Sequence, residues 1–132
     1  RENFEGKKHT ITFNIAGNGI YTMKGVKTQE ECDSFTYELL NAIINHKDLN
    51  IRVNKIRSGG QTGFDEAGIK AGLKLKIDTT AFYPKGYKIR DLDGDKLQTR
   101  KEVYKRLNYK QRKKVYVDMD NVLCDFVKSY LH

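Results

Sequence analysis

The sequence predicts an α/β domain of three layers, a Rossmann-like parallel sheet with helices on both faces. Segments of strand character alternate with segments of helical periodicity along most of the 132 residues, which is typical of parallel strands joined by helices. Two glycine-rich turns, "AGNG" and "SGGQTG", each follow a predicted strand. Because ligands of such folds bind beyond the carboxyl ends of the strands, both turns are candidate ligand contacts.

The first helix is the most clearly specified element. It comes after a strand at residues 9–17 and a glycine turn. Thr28 and Glu31 have the spacing of a capping box, in which each side chain accepts a backbone hydrogen bond at the start of a helix. Apolar residues then recur at helical spacing, namely Cys32, Phe35, Leu39 and Ile43. We predict a helix from Gln29 to about His46.

The later elements keep the alternation of strand and helix. In order, we predict a strand at 51–59, a helix at about 62–76, a strand at 78–84, a basic helix at about 99–107, a strand at 113–120 and a helical start at 125–132. The second helix carries Gly68, Ala71 and Gly72, and residues this small let a helix pack closely on a sheet. The loop between residues 85 and 96 has no predicted element.

The net charge of +8 is concentrated in one segment. Nine of the residues between 96 and 114 are Lys or Arg, against the single acidic residue Glu102. A basic stripe of this kind can attract phosphates or nucleic acid. It is equally typical of a solvated helix and linker, so both interpretations stay open.

Several classes of protein are disfavoured by composition. The apolar runs are far too short to cross a membrane, and the first ten residues lack the apolar core of a signal peptide. Since the chain also starts without Met, we expect an excerpt or a processed end. Cys32 and Cys124 have neither zinc nor disulfide spacing, which predicts free thiols in a reducing compartment, the cytoplasm.

The turn at residues 58–63 has the features of an anion site. Its glycines permit close approach of backbone to a ligand, and the first N–H groups of the following helix attract negative charge. The candidate ligand contacts in the turn are Ser58, Gly59, Gly60, Gln61, Thr62 and Gly63. Asp65 follows them and can accept from a ribose hydroxyl. The pattern is neither a P-loop nor a dinucleotide fingerprint, and by spacing alone a tight connection explains it equally well.

The run "SGGQTGFDEAGIKAGLKLKI" followed by "FYPKGYKIRDLDG" resembles the molybdenum-cofactor-carrier proteins of the SLOG group of Rossmann-like nucleotide-binding domains. The resemblance is closest over residues 55–94 and looser back to residue 9. It implies a phosphorylated ligand held by residues 59–63 with Asp65 close by and Lys85 reaching in, and it names the molybdenum cofactor as one candidate. The opposite wall would be Gly17, Asn18 and Gly19.

The chain departs from this family at particular positions. Glu66 stands where such proteins often carry a basic residue, and Tyr83 and Tyr87 replace side chains of other shapes. The PGGxGTxxE pattern of the related phosphoribohydrolases is absent from the sequence. This absence predicts binding of the ligand and not its hydrolysis.

The tail "VYVDMDNVLCDF" resembles the opening motif of haloacid-dehalogenase-like phosphatases, most closely the 5'(3')-deoxyribonucleotidases. The resemblance implies that Asp118 attacks phosphorus and that Asp120 acts as general acid and base. Asp118 and Asp120 would also ligate Mg²⁺. An added buried strand with aspartates in its exit loop is the simpler alternative.

Only twelve residues follow Asp120, so the later motifs of a phosphatase have no room in this chain. We therefore expect no phosphatase activity from it. We predict a nucleotide-binding domain at residues 1–110. Residues 111–132 are either the start of a phosphatase domain or an added strand and helix of the same sheet.

The expected function is the sensing, carrying or sequestering of a nucleotide or related phosphorylated ligand at residues 58–63. One alternative is a part of a nucleotidase, and a second is a basic nucleic-acid-binding module. The expected partners are the small phosphorylated ligand and, as a further option, a second copy of the chain.

Overall fold

A computed structural model describes residues 8–108 and the two strands at 116–117 and 123–125. The strands are β1 (His9–Ile15), β2 (Ile51–Gly59), β3 (Asp78–Phe82), β4 (Ile89–Asp91), β5 (Gly94–Lys96), β6 (Tyr116–Val117) and β7 (Leu123–Asp125). The helices are α1 (Gln29–Ile44), α2 (Phe64–Lys74) and α3 (Arg100–Arg106), with short 3-10 turns at Lys47–Leu49 and Lys85–Tyr87.

The main sheet has five strands in the order β1-β2-β3-β7-β6. β1, β2 and β3 are parallel, as the alternation of strand and helix predicts. β7 then pairs antiparallel with β3, and β6 pairs antiparallel with β7. β7 and β6 thus add an antiparallel edge to the predicted parallel sheet of β1, β2 and β3. Both strands of the tail belong to the same sheet as β1–β3.

The α/β class, with a parallel sheet flanked by helices, is confirmed. Among residues 8–108, α1 and α2 lie side by side over β1, β2 and β3, and α3 packs against α2 and β3 from the same side. The chain steps from β1 to β2 to β3 in one direction, and crossovers of one hand then place successive helices on one face. Exposed polar residues occupy the other face of β1 and β2, among them Thr12, Asn14, Arg52 and Asn54.

The helix predictions hold with shorter boundaries. Thr28 accepts from the N–H of Glu31 and the Glu31 carboxylate accepts from the N–H of Thr28, so the predicted capping box is present. On α2, a β-carbon on Gly68 would lie 2.8 Å from that of Ile15. A side chain there would hold the helix away from the sheet, which confirms the close packing that the small residues predict.

Sequence analysis missed the β4–β5 hairpin, which lies within the predicted loop. Its strands have only three residues each, too few to show alternation. Gly94, with φ +108°, begins β5 directly after a two-residue turn. None of the described helices combines the length and the apolar character needed to cross a membrane.

Candidate functional site

Thr62 holds the glycine turn in place from inside the protein. Its side chain is fully buried, and its hydroxyl accepts from the N–H of Ile20 at 3.1 Å and donates to the carbonyl of Arg90 at 2.7 Å. One hydroxyl therefore connects three segments that are distant in sequence. Thr62 therefore stabilises the turn, and its hydroxyl oxygen is turned away from solvent.

Two glutamine side chains occupy backbone N–H groups of the turn. The side-chain carbonyl oxygen of Gln61 accepts from the N–H of Thr62 at 3.0 Å and from the N–H of Arg90 at 2.6 Å. Gln29, in the first turn of α1, accepts from the N–H of Gly63 at 2.7 Å and donates to the Gly63 carbonyl at 2.9 Å. The amide side chain of Gln29 thus acts as a cap for α2, whose own cap residue is a glycine.

The next N–H group of the turn also has an internal acceptor. The N–H of Phe64, the first residue of α2, donates to the carbonyl of Asn18 at 3.2 Å. Three consecutive N–H groups, those of residues 62–64, therefore bond to protein oxygens. Three of the N–H groups through which sequence analysis places a phosphate at this turn are therefore already bonded within the protein.

The residues that lead into the turn are packed closely. The Ser58 hydroxyl lies 2.7 Å from the carbonyl oxygen of Ile15 and 2.8 Å from that of Asp65. Gly60 is buried directly beneath the ring of Tyr83, and Gly59 lies against the carboxylate of Asp65. Ser58 and Gly60 therefore serve the packing of the turn, whereas Gly59 lies next to the Asp65 carboxylate.

Among the predicted site residues, Asp65 has the position that best suits contact with a ligand. Its carboxylate is half-buried at the carboxyl edge of β1 and β2, and Oδ1 accepts from the N–H of Gly17 at 3.3 Å. Burial raises the pKa of Asp65 above its ordinary value, although hydrogen bonds from the N–H groups of Gly17 and Gln61 act in the lowering direction. A carboxylate in this environment is a strong acceptor for a ligand hydroxyl.

The loop after β1 supplies backbone donors beside that carboxylate. Ala16, Gly17 and Asn18 are exposed to solvent. Within residues 8–108, the N–H groups of Asn18 and Gly19 donate to no protein acceptor. The predicted opposite wall of the site therefore presents open amides, whereas the N–H groups of residues 62–64 in the second turn are bonded.

Other groups near the site differ in how well the sequence indicates them. Lys85, predicted to reach into the pocket, is exposed, and within the described part of the chain no hydrogen bond or ion pair joins its side chain to either glycine turn. Sequence analysis did not single out Tyr21, whose half-exposed ring lies 5.0 Å from the Lys24 ammonium and 5.4 Å from the Arg90 guanidinium. Tyr21 is the second residue after the first glycine turn, which is the one local signal that indicates it.

A buried ion-pair network lies behind the turn. The Glu66 carboxylate, 5% exposed, pairs with Lys70 and with Arg106, both at 2.7 Å. Lys70 also pairs with Asp33 of α1 at 2.9 Å, and Arg106 pairs with Asp91 at 3.5 Å. Burial acts to lower the pKa of Lys70 and of Arg106, but Glu66, together with Asp33 for Lys70 and Asp91 for Arg106, outweighs it and both pKa values are raised. Glu66 and its partners therefore link three helices.

The chemistry predicted for the tail lies outside the described residues, because Asp118 and Asp120 fall between β6 and β7. Among the residues that the structure does describe, no cluster of three His, Cys, Asp or Glu side chains is arranged to hold a metal ion. The Mg²⁺ site expected from Asp118 and Asp120 therefore stays a prediction.

Comparison with known proteins adds no relative to this geometry. No family model, no curated protein and no solved structure matches the chain. The functional argument therefore depends on the site itself.

Proposed function

We propose that the chain binds a nucleotide or related phosphorylated ligand at the carboxyl edge of β1 and β2. The observation that carries this proposal is the pair of open N–H groups at Asn18 and Gly19 beside the half-buried carboxylate of Asp65. A phosphate accepts from backbone N–H groups, and a sugar hydroxyl donates to a carboxylate. The two kinds of group therefore suit the two ends of a sugar phosphate.

The proposal changes which turn holds the anion. The N–H groups of residues 62–64 are bonded within the protein. In this arrangement the second turn is the frame that sets the position of Asp65, and the first turn provides the donors. The rigid frame favours affinity, because groups held in place lose little entropy when the ligand binds.

Sensing, carriage or sequestration suits the described residues better than catalysis. The nucleotidase alternative depends on Asp118 and Asp120, which are outside them. The nucleic-acid alternative depends on the basic segment, and two of its five described cations, Lys96 and Arg106, already pair with acidic side chains. Ion pairing leaves fewer positive charges for phosphate backbones.

The test is a titration of the chain with nucleoside mono-, di- and triphosphates, cyclic nucleotides, ADP-ribose and molybdopterin compounds, followed by calorimetry and thermal shift. Asp65→Asn should weaken binding of the responding ligand by about tenfold or more, since a hydrogen bond to a charged group is worth about 1.5–3 kcal/mol. Asp48→Asn is the matched control, because Asp48 is exposed and precedes β2 at the opposite edge of the sheet.

Two results would count against the proposal. One is the absence of a thermal shift with every compound of the panel at millimolar concentration. The other is a ligand whose affinity is the same in the wild type and in Asp65→Asn, because such a ligand binds elsewhere.

A further inference from the structure

The ring of Tyr21 lies between two cations beside the first glycine turn. The ring is 42% exposed, and the Lys24 ammonium and the Arg90 guanidinium lie 5.0 Å and 5.4 Å from its centre. The N–H of Lys24 donates to the carbonyl of Tyr21 at 3.3 Å, so a tight turn brings these two residues together. Because an aromatic ring attracts cations at such distances, Tyr21 holds two positive charges near one another at the surface.

These two cations adjoin the site proposed above. The N–H of Met23 donates to the carbonyl of Gly19 at 3.2 Å, which folds the chain that carries Lys24 back toward Gly19. On the other side, the N–H of Arg90 donates to the Gln61 side chain at 2.6 Å. A β-carbon on Gly19 would lie 3.4 Å from that same side chain. The Gln61 side chain therefore contacts both the backbone of Arg90 and the turn whose N–H groups are open.

Both cations have capacity left for an anion. The chain from residue 16 to residue 28 contains Lys24 and Lys27 but no Asp or Glu. Arg90 pairs with Asp95 through Nε at 2.7 Å, and in the described part of the chain its two terminal nitrogens make no hydrogen bond or ion pair. Asp95 thus occupies one edge of the guanidinium and leaves the other edge open. Since this ion pair is exposed, it contributes little and does not prevent Arg90 from turning toward a ligand.

We propose that Lys24 and Arg90 bind a second phosphate of the ligand, so that the site takes a diphosphate or a longer polyphosphate ester. The inference rests on the proposed function, because it needs a first phosphate at the N–H groups of Asn18 and Gly19. Lysine and arginine side chains both bind phosphate, and arginine can do so with two parallel hydrogen bonds. Carboxylate, open N–H groups and cations follow one another along the site, from Asp65 to Lys24. This order matches a sugar, a first phosphate and a second phosphate.

Inorganic phosphate and pyrophosphate are the probes, because their binding depends on neither a base nor a sugar. In calorimetry at low salt and without divalent cations, pyrophosphate should bind at least about tenfold more tightly than phosphate, as expected for an added hydrogen bond between charged groups. Lys24→Gln and Arg90→Gln should each weaken binding of pyrophosphate about tenfold and leave binding of phosphate unchanged. A nucleoside that responds in the panel should likewise bind more tightly as its diphosphate than as its monophosphate.

Two variants with the same change of charge are the matched controls. Lys74→Gln removes an ammonium that lies 4.4 Å from the ring of Tyr37, and Lys74 is the last residue of α2. Arg52→Gln removes an exposed arginine near the start of β2. Both positions lie at the edge of the sheet opposite the glycine turns, so both variants should bind pyrophosphate as the wild type does.

The inference and the proposed function fail in different ways. Equal affinity for phosphate and pyrophosphate, no binding of pyrophosphate at millimolar concentration, or the same loss of pyrophosphate binding in the two controls overturns the inference. Because pyrophosphate has no sugar, Asp65→Asn should not weaken its binding. Binding of pyrophosphate through Lys24 and Arg90 without binding of any nucleoside phosphate would support the two-phosphate site and overturn only the nucleotide as its ligand.

Discussion

The ring of Tyr83 lies over Gly60 at the place that a β-carbon on Gly60 would occupy. This contact joins the glycine turn to the apolar cluster that contains Ile69 of α2 and Val103 of α3. Gly60 is therefore needed for packing, whatever the turn binds.

The first prediction concerns Gly60→Ala. The added methyl group must displace the Tyr83 ring, and overpacking of this kind costs about 1–3 kcal/mol. Chemical denaturation of the variant measures the loss. Gly19→Ala is the control, because its β-carbon would find neighbours at ordinary contact distances of 3.4 Å or more, and its stability should stay within about 0.5 kcal/mol of the wild type. Equal stability of Gly60→Ala and the wild type would contradict the packing described here.

Thr62→Val tests the internal role of the buried hydroxyl. Valine has nearly the same shape but leaves the N–H of Ile20 and the carbonyl of Arg90 without their partner. Leaving buried polar groups unsatisfied costs about 1–3 kcal/mol. The exposed Thr22→Val should cost much less in the same urea titration. Ligand affinity of folded Thr62→Val should match that of the wild type, and a selective loss of affinity would instead make Thr62 a ligand contact.

Glu66→Gln should be strongly destabilising, because it removes the buried carboxylate that Lys70 and Arg106 share and leaves them only Asp33 and Asp91 as partners. Breaking a fully buried pair costs about 3–5 kcal/mol. Since Lys70 and Arg106 keep about a quarter of their side-chain exposure, we expect about 2–4 kcal/mol here. Glu38→Gln, on the exposed flank of α1, is the matched control in thermal and chemical unfolding. A Glu66→Gln variant as stable as Glu38→Gln would show that the network contributes nothing.

The pH dependence of stability should separate Asp65 from Asp91. Because the folded protein raises the pKa of Asp65, the folded state binds its proton more tightly than the unfolded state does. Asp65 thus lowers stability as pH rises through and above its ordinary pKa. Asp65→Asn should therefore gain stability relative to the wild type between about pH 3 and pH 7.

Asp91 should behave in the opposite way. Burial acts to raise its pKa, but the N–H of Leu92 and the cations Arg106 and Lys96 lower it on balance. Its ionised form therefore stabilises the folded state above the ordinary pKa, and this contribution is lost as pH falls through the folded pKa. Asp91→Asn should lose stability at neutral pH and approach the wild type in acid. Parallel melting curves at each pH would show whether the two differences run in opposite directions.

The elements that the sequence predicts well are those whose signals are local. The capping box at Thr28 and Glu31 and the apolar spacing of α1 can be detected within one segment, and the structure confirms both. The three parallel strands have runs of five to nine residues, long enough to show strand character. The β4–β5 hairpin and the antiparallel β7 were missed because strands of three residues or fewer are too short to show an alternation of apolar and polar residues.

Only part of the candidate site could be predicted from the sequence. Both glycine turns and Asp65 could be identified from their position after strands. The acceptors that occupy the second turn could not, because Gln29 and Asn18 are 34 and 46 residues away from the N–H groups to which they bond. The ionic partners of Glu66 are equally remote, apart from Lys70 one helical turn away.

By itself, the sequence determined the α/β alternation, the capped first helix, and the glycines and Asp65 at the ends of two strands, because each depends on the spacing of neighbouring residues. The tertiary structure decided which N–H groups stay open, since occupancy depends on acceptors that folding brings from distant segments. It likewise decided that Glu66 is paired in the interior and that Phe35 and Leu39 face solvent. Helical periodicity places these side chains on a face, but only packing determines whether another element covers it.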